Sequence, residues 1–116
     1  MSGAFSSQQG ECPAIKEESM AIRVVVAITA AEGKGDELAA STGANLPNVR
    51  QEPGCEEYSL FRNVEDGDRF VMVERWTTQA DLDTHLAAAR ARQTAAPAPT
   101  AGLRAAPPVM ETYELP

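Results

Sequence analysis

Between positions 22 and 29 the chain sets Ile22, Val24, Val26 and Ile28 against Arg23, Val25, Ala27 and Thr29. Alternation of β-branched residues predicts a strand with a fully apolar even face and an odd face that is also largely buried. Gly33 and Gly35 then break the pattern. From Asp36 onward Leu38, Thr42, Asn45, Leu46 and Val49 recur at three- and four-residue intervals, which places them on the buried side of a helix. Gly43 and Pro47 weaken that helix, because an interior proline removes a backbone donor and crowds the preceding turn, so a kink or an early stop is expected near Leu46.

Glu52-Pro53-Gly54 has the composition of a tight turn. A second strand over 55–64 puts Tyr58 and Leu60 on one face and Ser59 and Phe61 on the other. The acidic loop Glu65-Asp66-Gly67-Asp68 reads as a hairpin tip, followed by a third strand over 69–77 with Phe70, Met72, Glu74 and Trp76 on one face. Thr78, with Asp81 three residues on, resembles an N-cap for a helix carrying Leu82, Leu86 and Ala89 and ending after Arg92. Positions 93–108 form an Ala- and Pro-rich connection, expected to be extended or partly disordered. A last run over 109–115 alternates as a fourth strand.

The order strand, helix, strand, strand, helix, strand predicts an α+β, ferredoxin-like fold: a four-stranded antiparallel sheet with two helices on one face. The other sheet face would carry Val25, Phe61, Val71 and Val73, an apolar patch that a second copy of the chain would cover, so a homodimer is expected. Positions 1–20 lack any apolar period and read as a disordered tail, with 21–116 as a single domain. Discounting the tail and the connection leaves about 75 to 80 residues for the folded part, a small core that favours association.

Composition narrows the partners. Seventeen acidic residues against ten Lys and Arg give a net charge of −7, and the few arginines at 90, 92 and 104 are diluted by Ala and Pro. Nucleic acid is therefore not an expected partner, since its binding requires clustered positive charge. The longest apolar run is far short of a membrane span, and the first thirty residues lack the pattern of a secretory signal, so no membrane association and a cytoplasmic location are expected. Cys12 and Cys55 do not make a disulfide framework, and no Cys/His spacing suits a metal.

Glu52-Pro53-Gly54-Cys55 followed by Tyr58 and Leu60, then Arg69-Phe70, Glu74 and Trp76, then Leu82, His85 and Leu86 resembles the antibiotic biosynthesis monooxygenase family, small dimeric α+β barrels related to quinol monooxygenases. The likeness covers about positions 22 to 115. It implies oxygenation of a small phenolic, quinol or anthrone-type aromatic by O₂ without metal, flavin or haem: the substrate supplies the electrons while the protein holds the ring and excludes water. Trp76 matches the family tryptophan. An Asn used by polyketide-oxidising members is here Met72, and a Tyr is here Leu82. In haem-degrading relatives a first-strand Asn accompanies the Trp, whereas Val24 or Val26 stands here, and His85 lies in a His-Leu pair away from the haem-ligand position, so no cofactor is expected.

Each candidate has a structural reading beside its functional one. His85 is the only histidine, and so either the imidazole base or a helix residue bonded to Glu74 or to a backbone carbonyl. Trp76 is a wall of the substrate pocket or a core side chain whose indole N–H needs a partner. Glu74, among apolar neighbours, requires a partner, either His85 or an arginine of the second copy. Tyr58, Phe70, Met72, Leu82 and Asn45 complete the expected substrate-binding set, with Asn45 alternatively a helix cap. Cys55 reads as a small buried side chain. The rival from another class is a non-catalytic dimer binding a small molecule in the same pocket, and a third reading is an isomerase or decarboxylase using His85 as proton carrier.

Overall fold

In a computed structural model, which describes residues 20–95 and 102–116, the alternating segments pair as one sheet. The expected tail, Met20 apart, and the middle of the Ala/Pro connection lie outside the described residues. The elements are β1 (Ile22–Thr29), α1 (Gly35–Arg50), β2 (Cys55–Arg62), β3 (Arg69–Trp76), α2 (Gln79–Ala95) and β4 (Val109–Glu114). The strands lie in the order β2-β3-β1-β4 with every neighbouring pair antiparallel. This is the ferredoxin-like βαββαβ arrangement.

Because side chains alternate across a strand, one face of β1 and β3 collects Ile22, Val24, Ile28, Phe70, Met72, Glu74 and Trp76, all buried. Leu38 and Val49 of α1 and Leu82 of α2 are buried against that face, so both helices cover the same side. Two apolar groups result. One joins Ile22, Val24, Val49, Trp76 and Leu82; the other joins Ile28, Ala30, Leu38, Phe70 and Met72. Val26 and Tyr58 touch both.

Helix α1 does not stop at Leu46 but runs through Pro47 to Arg50. Proline in the last turn removes one intrahelical bond only, and Val49 beyond it is sealed against the sheet. The chain then tightens, with Gln51 N–H donating to Asn48 O and Glu52 N–H to Val49 O. Asn45, expected on the buried side of α1, is exposed. Half-buried Ala39, Thr42 and Leu46 draw the inward stripe to one side of it, and its amide oxygen instead accepts from Asn48 Nδ2 at 3.3 Å.

Helix α2 begins as expected: Thr78 Oγ1 accepts the Asp81 N–H at 3.1 Å and donates to the Asp81 carboxylate. It extends to Ala95, beyond the expected end after Arg92. The later part of the Ala/Pro connection is tied down rather than loose. Ala31 N–H donates to Leu103 O, Ala105 N–H to Thr29 O, and Ala30 bridges to Arg104, while Leu103 packs beside Phe70 and its neighbours.

The opposite face of the sheet departs from expectation at β1. Arg23 and Val25 are half-buried, but Ala27 and Thr29 are exposed, because no element of a single chain covers them. Register builds a row Phe61, Val71, Ala27, Val109 across all four strands, with Val73 beside Val25 in the next row. Phe61 is 54% exposed and Val109 62%. Farther along, Arg23 pairs with Glu57 at 2.7 Å and Arg75 with Glu56 at 2.7 Å, giving an apolar centre with a charged border.

Candidate functional site

The first apolar group leads to the site. Trp76 ends β3, and register places it between Ile22 of β1 and Cys55 of β2. The reversal into α2 is held at its base by Thr77 N–H donating to Gly54 O at 2.8 Å. Leu82, one turn into α2, is buried beside Trp76, and the following turn lays His85 over the indole. The two rings stack with centroids 4.7 Å apart and planes 28° from parallel. Tyr58, on the inner face of β2, meets the imidazole edge-on with centroids 5.7 Å apart.

Two carboxylates flank the stack. Glu74 Oε1 accepts the indole N–H of Trp76 at 2.9 Å, so a buried polar pair is satisfied within one strand. Glu52 Oε1 lies 2.7 Å from His85 Nδ1. The expected pairing of Glu74 with His85 is therefore replaced: residues two apart on a strand share a face, which puts Glu74 under the indole N–H, while the imidazole turns to Glu52. Glu52 was not among the candidate site residues. Its signal was indirect, since the turn holding it leads directly into Cys55, the residue paired with Trp76.

Burial shapes the protonation chemistry. Desolvation pushes the Glu74 carboxyl above the usual carboxylate range, opposed by the Trp76 N–H and the nearby imidazole and reinforced by the negative charge of Glu52. Burial, then Glu74 and Glu52, hold the Tyr58 hydroxyl well above its ordinary value, so it stays a neutral phenol that can donate or accept. The Cys55 thiol is likewise pushed up by burial and the two glutamates, which suits the expected inert side chain and not a nucleophile.

The structure gathers Trp76, Glu74, Leu82 and Tyr58 around His85. It does not gather the whole candidate set. Phe70 and Met72 belong to the second apolar group, and Asn45 faces solvent. Trp76 has 0% of its surface exposed, and Phe70, Met72 and Leu82 are almost as fully enclosed. In this packing these four side chains back the site without presenting a surface to a ligand. His85, also buried, and half-buried Tyr58 are the polar rings nearest to access. Among the described residues no three His, Cys, Asp or Glu side chains converge as a metal site, and no helix is long and apolar enough to cross a membrane.

A four-stranded ferredoxin-like sheet of this order, with an inner-face tryptophan at the end of the central hairpin and a helix histidine stacked over it, defines a small α+β domain. The model of the antibiotic biosynthesis monooxygenase family matches residues 21–97, and the chain belongs to that family. Among solved structures it is similar to PA3566 from Pseudomonas aeruginosa, with 24% identity and a TM-score of 0.71 over 84% of this chain and 95% of that one. Protein SO0527 from Shewanella oneidensis shares 26% identity with a TM-score of 0.70, covering 83% of this chain and 91% of that one. A further structure described as an antibiotic biosynthesis monooxygenase shares 24% identity with a TM-score of 0.66, covering 79% and 95%. No curated protein matches the chain significantly.

Proposed function

We propose that the protein is a cofactor-independent monooxygenase that oxidises a small phenolic, quinol or anthrone-type aromatic with O₂, working as a homodimer. The observation that carries this reading is the lone histidine, enclosed between Trp76 and Tyr58 in a chain belonging to a monooxygenase family. Oxygenation of this kind begins with loss of a substrate proton. His85 takes it, and the electron-rich anion transfers one electron to O₂, giving a substrate radical and superoxide that combine as a peroxide. Loss of a second proton from the same carbon, with O–O cleavage, leaves a carbonyl and expels hydroxide, which is protonated to water. For a CH₂ centre the balance is R₂CH₂ + O₂ → R₂CO + H₂O, with all four electrons coming from the substrate.

The protein contributes a proton acceptor, the Tyr58 hydroxyl as a neutral donor toward a developing oxyanion, and a dry setting in which both act strongly. Trp76 and Leu82 support His85 from below. Dimerisation is supported by the uncovered sheet face and by β4, exposed along its whole length and carrying Val109, Met110 and Tyr113. A dimer through this face would enclose apolar surface the single chain leaves in water.

The test is oxygen consumption on adding dihydroxynaphthalene- and anthrone-type compounds to the protein, with His85→Ala as the control. Uptake that disappears in His85→Ala supports the reading; no uptake above buffer across the panel overturns it. A second reading, a non-catalytic dimer that only binds such a compound, is favoured by Met72 and Leu82 standing where polyketide-oxidising members carry Asn and Tyr. In that case His85→Ala leaves ligand affinity nearly unchanged and no turnover is seen in either protein.

A further inference from the structure

We infer that Glu52 is the positioning residue of His85: its carboxylate holds the imidazole as the Nδ1–H tautomer and leaves Nε2 as the nitrogen that takes the proton. An ionised carboxylate can only accept, so the 2.7 Å approach of Glu52 Oε1 to Nδ1 requires the ring proton to lie between them. With the opposite tautomer two lone pairs would face each other at that distance. The rest of the site closes the alternatives. Glu74 is engaged by the indole N–H, the Trp76 face blocks one side of the imidazole, and the Tyr58 edge meets it from another direction. Among the described residues no hydrogen bond occupies Nε2, and the only buried side-chain nitrogen or oxygen lacking a partner is Arg104 Nε, so Nε2 is not sealed in as an orphan.

The backbone that carries Glu52 is itself fixed. Its N–H donates to Val49 O at 2.9 Å, its carbonyl accepts from Cys55 N–H at 3.2 Å, and Gly54 takes φ +82° so that its carbonyl can receive Thr77 N–H. The carboxylate therefore approaches a histidine 33 residues away from a turn anchored both to the end of α1 and to the start of α2. A flexible surface glutamate that met the ring by chance would lack these restraints. A base preset in one tautomer avoids the cost of reorganising before each proton transfer.

The catalytic consequence rests on the monooxygenase reading, but the tautomer does not. With one histidine in the chain, ¹⁵N labelling of the ring yields two imidazole nitrogen signals, read at a pH where the ring is neutral. The expected result is a pyrrole-type Nδ1 and a pyridine-type Nε2 in the wild type, with a swing toward Nε2–H in Glu52→Ala. In Glu52→Gln the amide oxygen still accepts, so Nδ1–H persists while its proton resonance moves upfield as the charge assistance is lost; this variant serves if Glu52→Ala does not fold. A wild-type Nε2–H tautomer, an unchanged tautomer in Glu52→Ala or an unmoved proton resonance in Glu52→Gln overturns the inference. Where oxygen uptake is found, Glu52→Ala should lower kcat about tenfold or more with little change in KM, and Glu52→Gln should restore part of it. Nδ1–H without any oxygen uptake refutes the activity and leaves the positioning role of Glu52 intact; uptake with an Nε2–H wild type does the reverse.

Discussion

The imidazole of His85 lies 4.7 Å from the indole of Trp76, and the chain contains one residue of each kind. An imidazole stacked on an excited indole opens a route for quenching its emission, so tryptophan fluorescence should be weaker in the wild type than in His85→Leu at the same pH. Equal emission from the two proteins would mean that the rings are not stacked in solution.

Glu74 gives a pH dependence of stability whose sign follows from its burial. Its carboxyl titrates above the ordinary range in the folded chain, so between the unfolded value of about 4.3 and the raised folded value the native state binds more protons than the unfolded one. Stability from this group is thus full below the unfolded value and is lost as pH rises through the folded one. Glu74→Gln keeps an acceptor for the Trp76 N–H and removes the ionisation. Urea denaturation at pH 4.5 and pH 8 should show a smaller loss of stability at the higher pH in Glu74→Gln than in the wild type.

Two glycines should respond in opposite directions to alanine. Gly54 sits at φ +82°, and a Cβ there would run into the Asp81 carboxylate, so Gly54→Ala should destabilise the fold by about 2 kcal/mol or more. Gly43 lies within α1 with open space around the position of a Cβ. Gly43→Ala should stabilise by up to about 1 kcal/mol. Equilibrium unfolding in urea measures both.

The uncovered sheet face predicts a separable assembly defect. Val71 stands between Phe61 and Ala27 in the apolar row, so a charge introduced there falls at the centre of the proposed dimer contact. Val71→Asp should shift the protein to monomer in sedimentation equilibrium. Wild-type protein that sediments as a monomer at micromolar concentration would remove the dimer from the proposal.

The elements were legible because each carries a local period. Alternation at Ile22, Val24 and Ile28 and at Phe70, Met72 and Trp76 marked the inner face correctly, and Thr78 with Asp81 marked the start of α2. Local signals failed where docking decides. Pro47 looked like a stop from its missing donor alone, yet Val49 beyond it is held by the sheet. Asn45 matched the helical spacing of the buried side and still faces solvent, because the helix turns a neighbouring stripe inward.

The candidate site divides in the same way. His85 and Trp76 were conspicuous as single residues of their type, and their helix and strand placement followed from period and turn chemistry. Which carboxylate reaches the histidine did not follow, since Glu52 sits in a turn 33 residues away and no local period links it to His85. Local order along the chain accounts for the strands, the helices and the inner face of the sheet, because those depend on neighbours within a few positions. Only the tertiary structure sealed Trp76 from solvent, sent Glu74 to the indole and brought Glu52 to His85 from 33 residues away, because strand register and helix docking set which distant side chains meet.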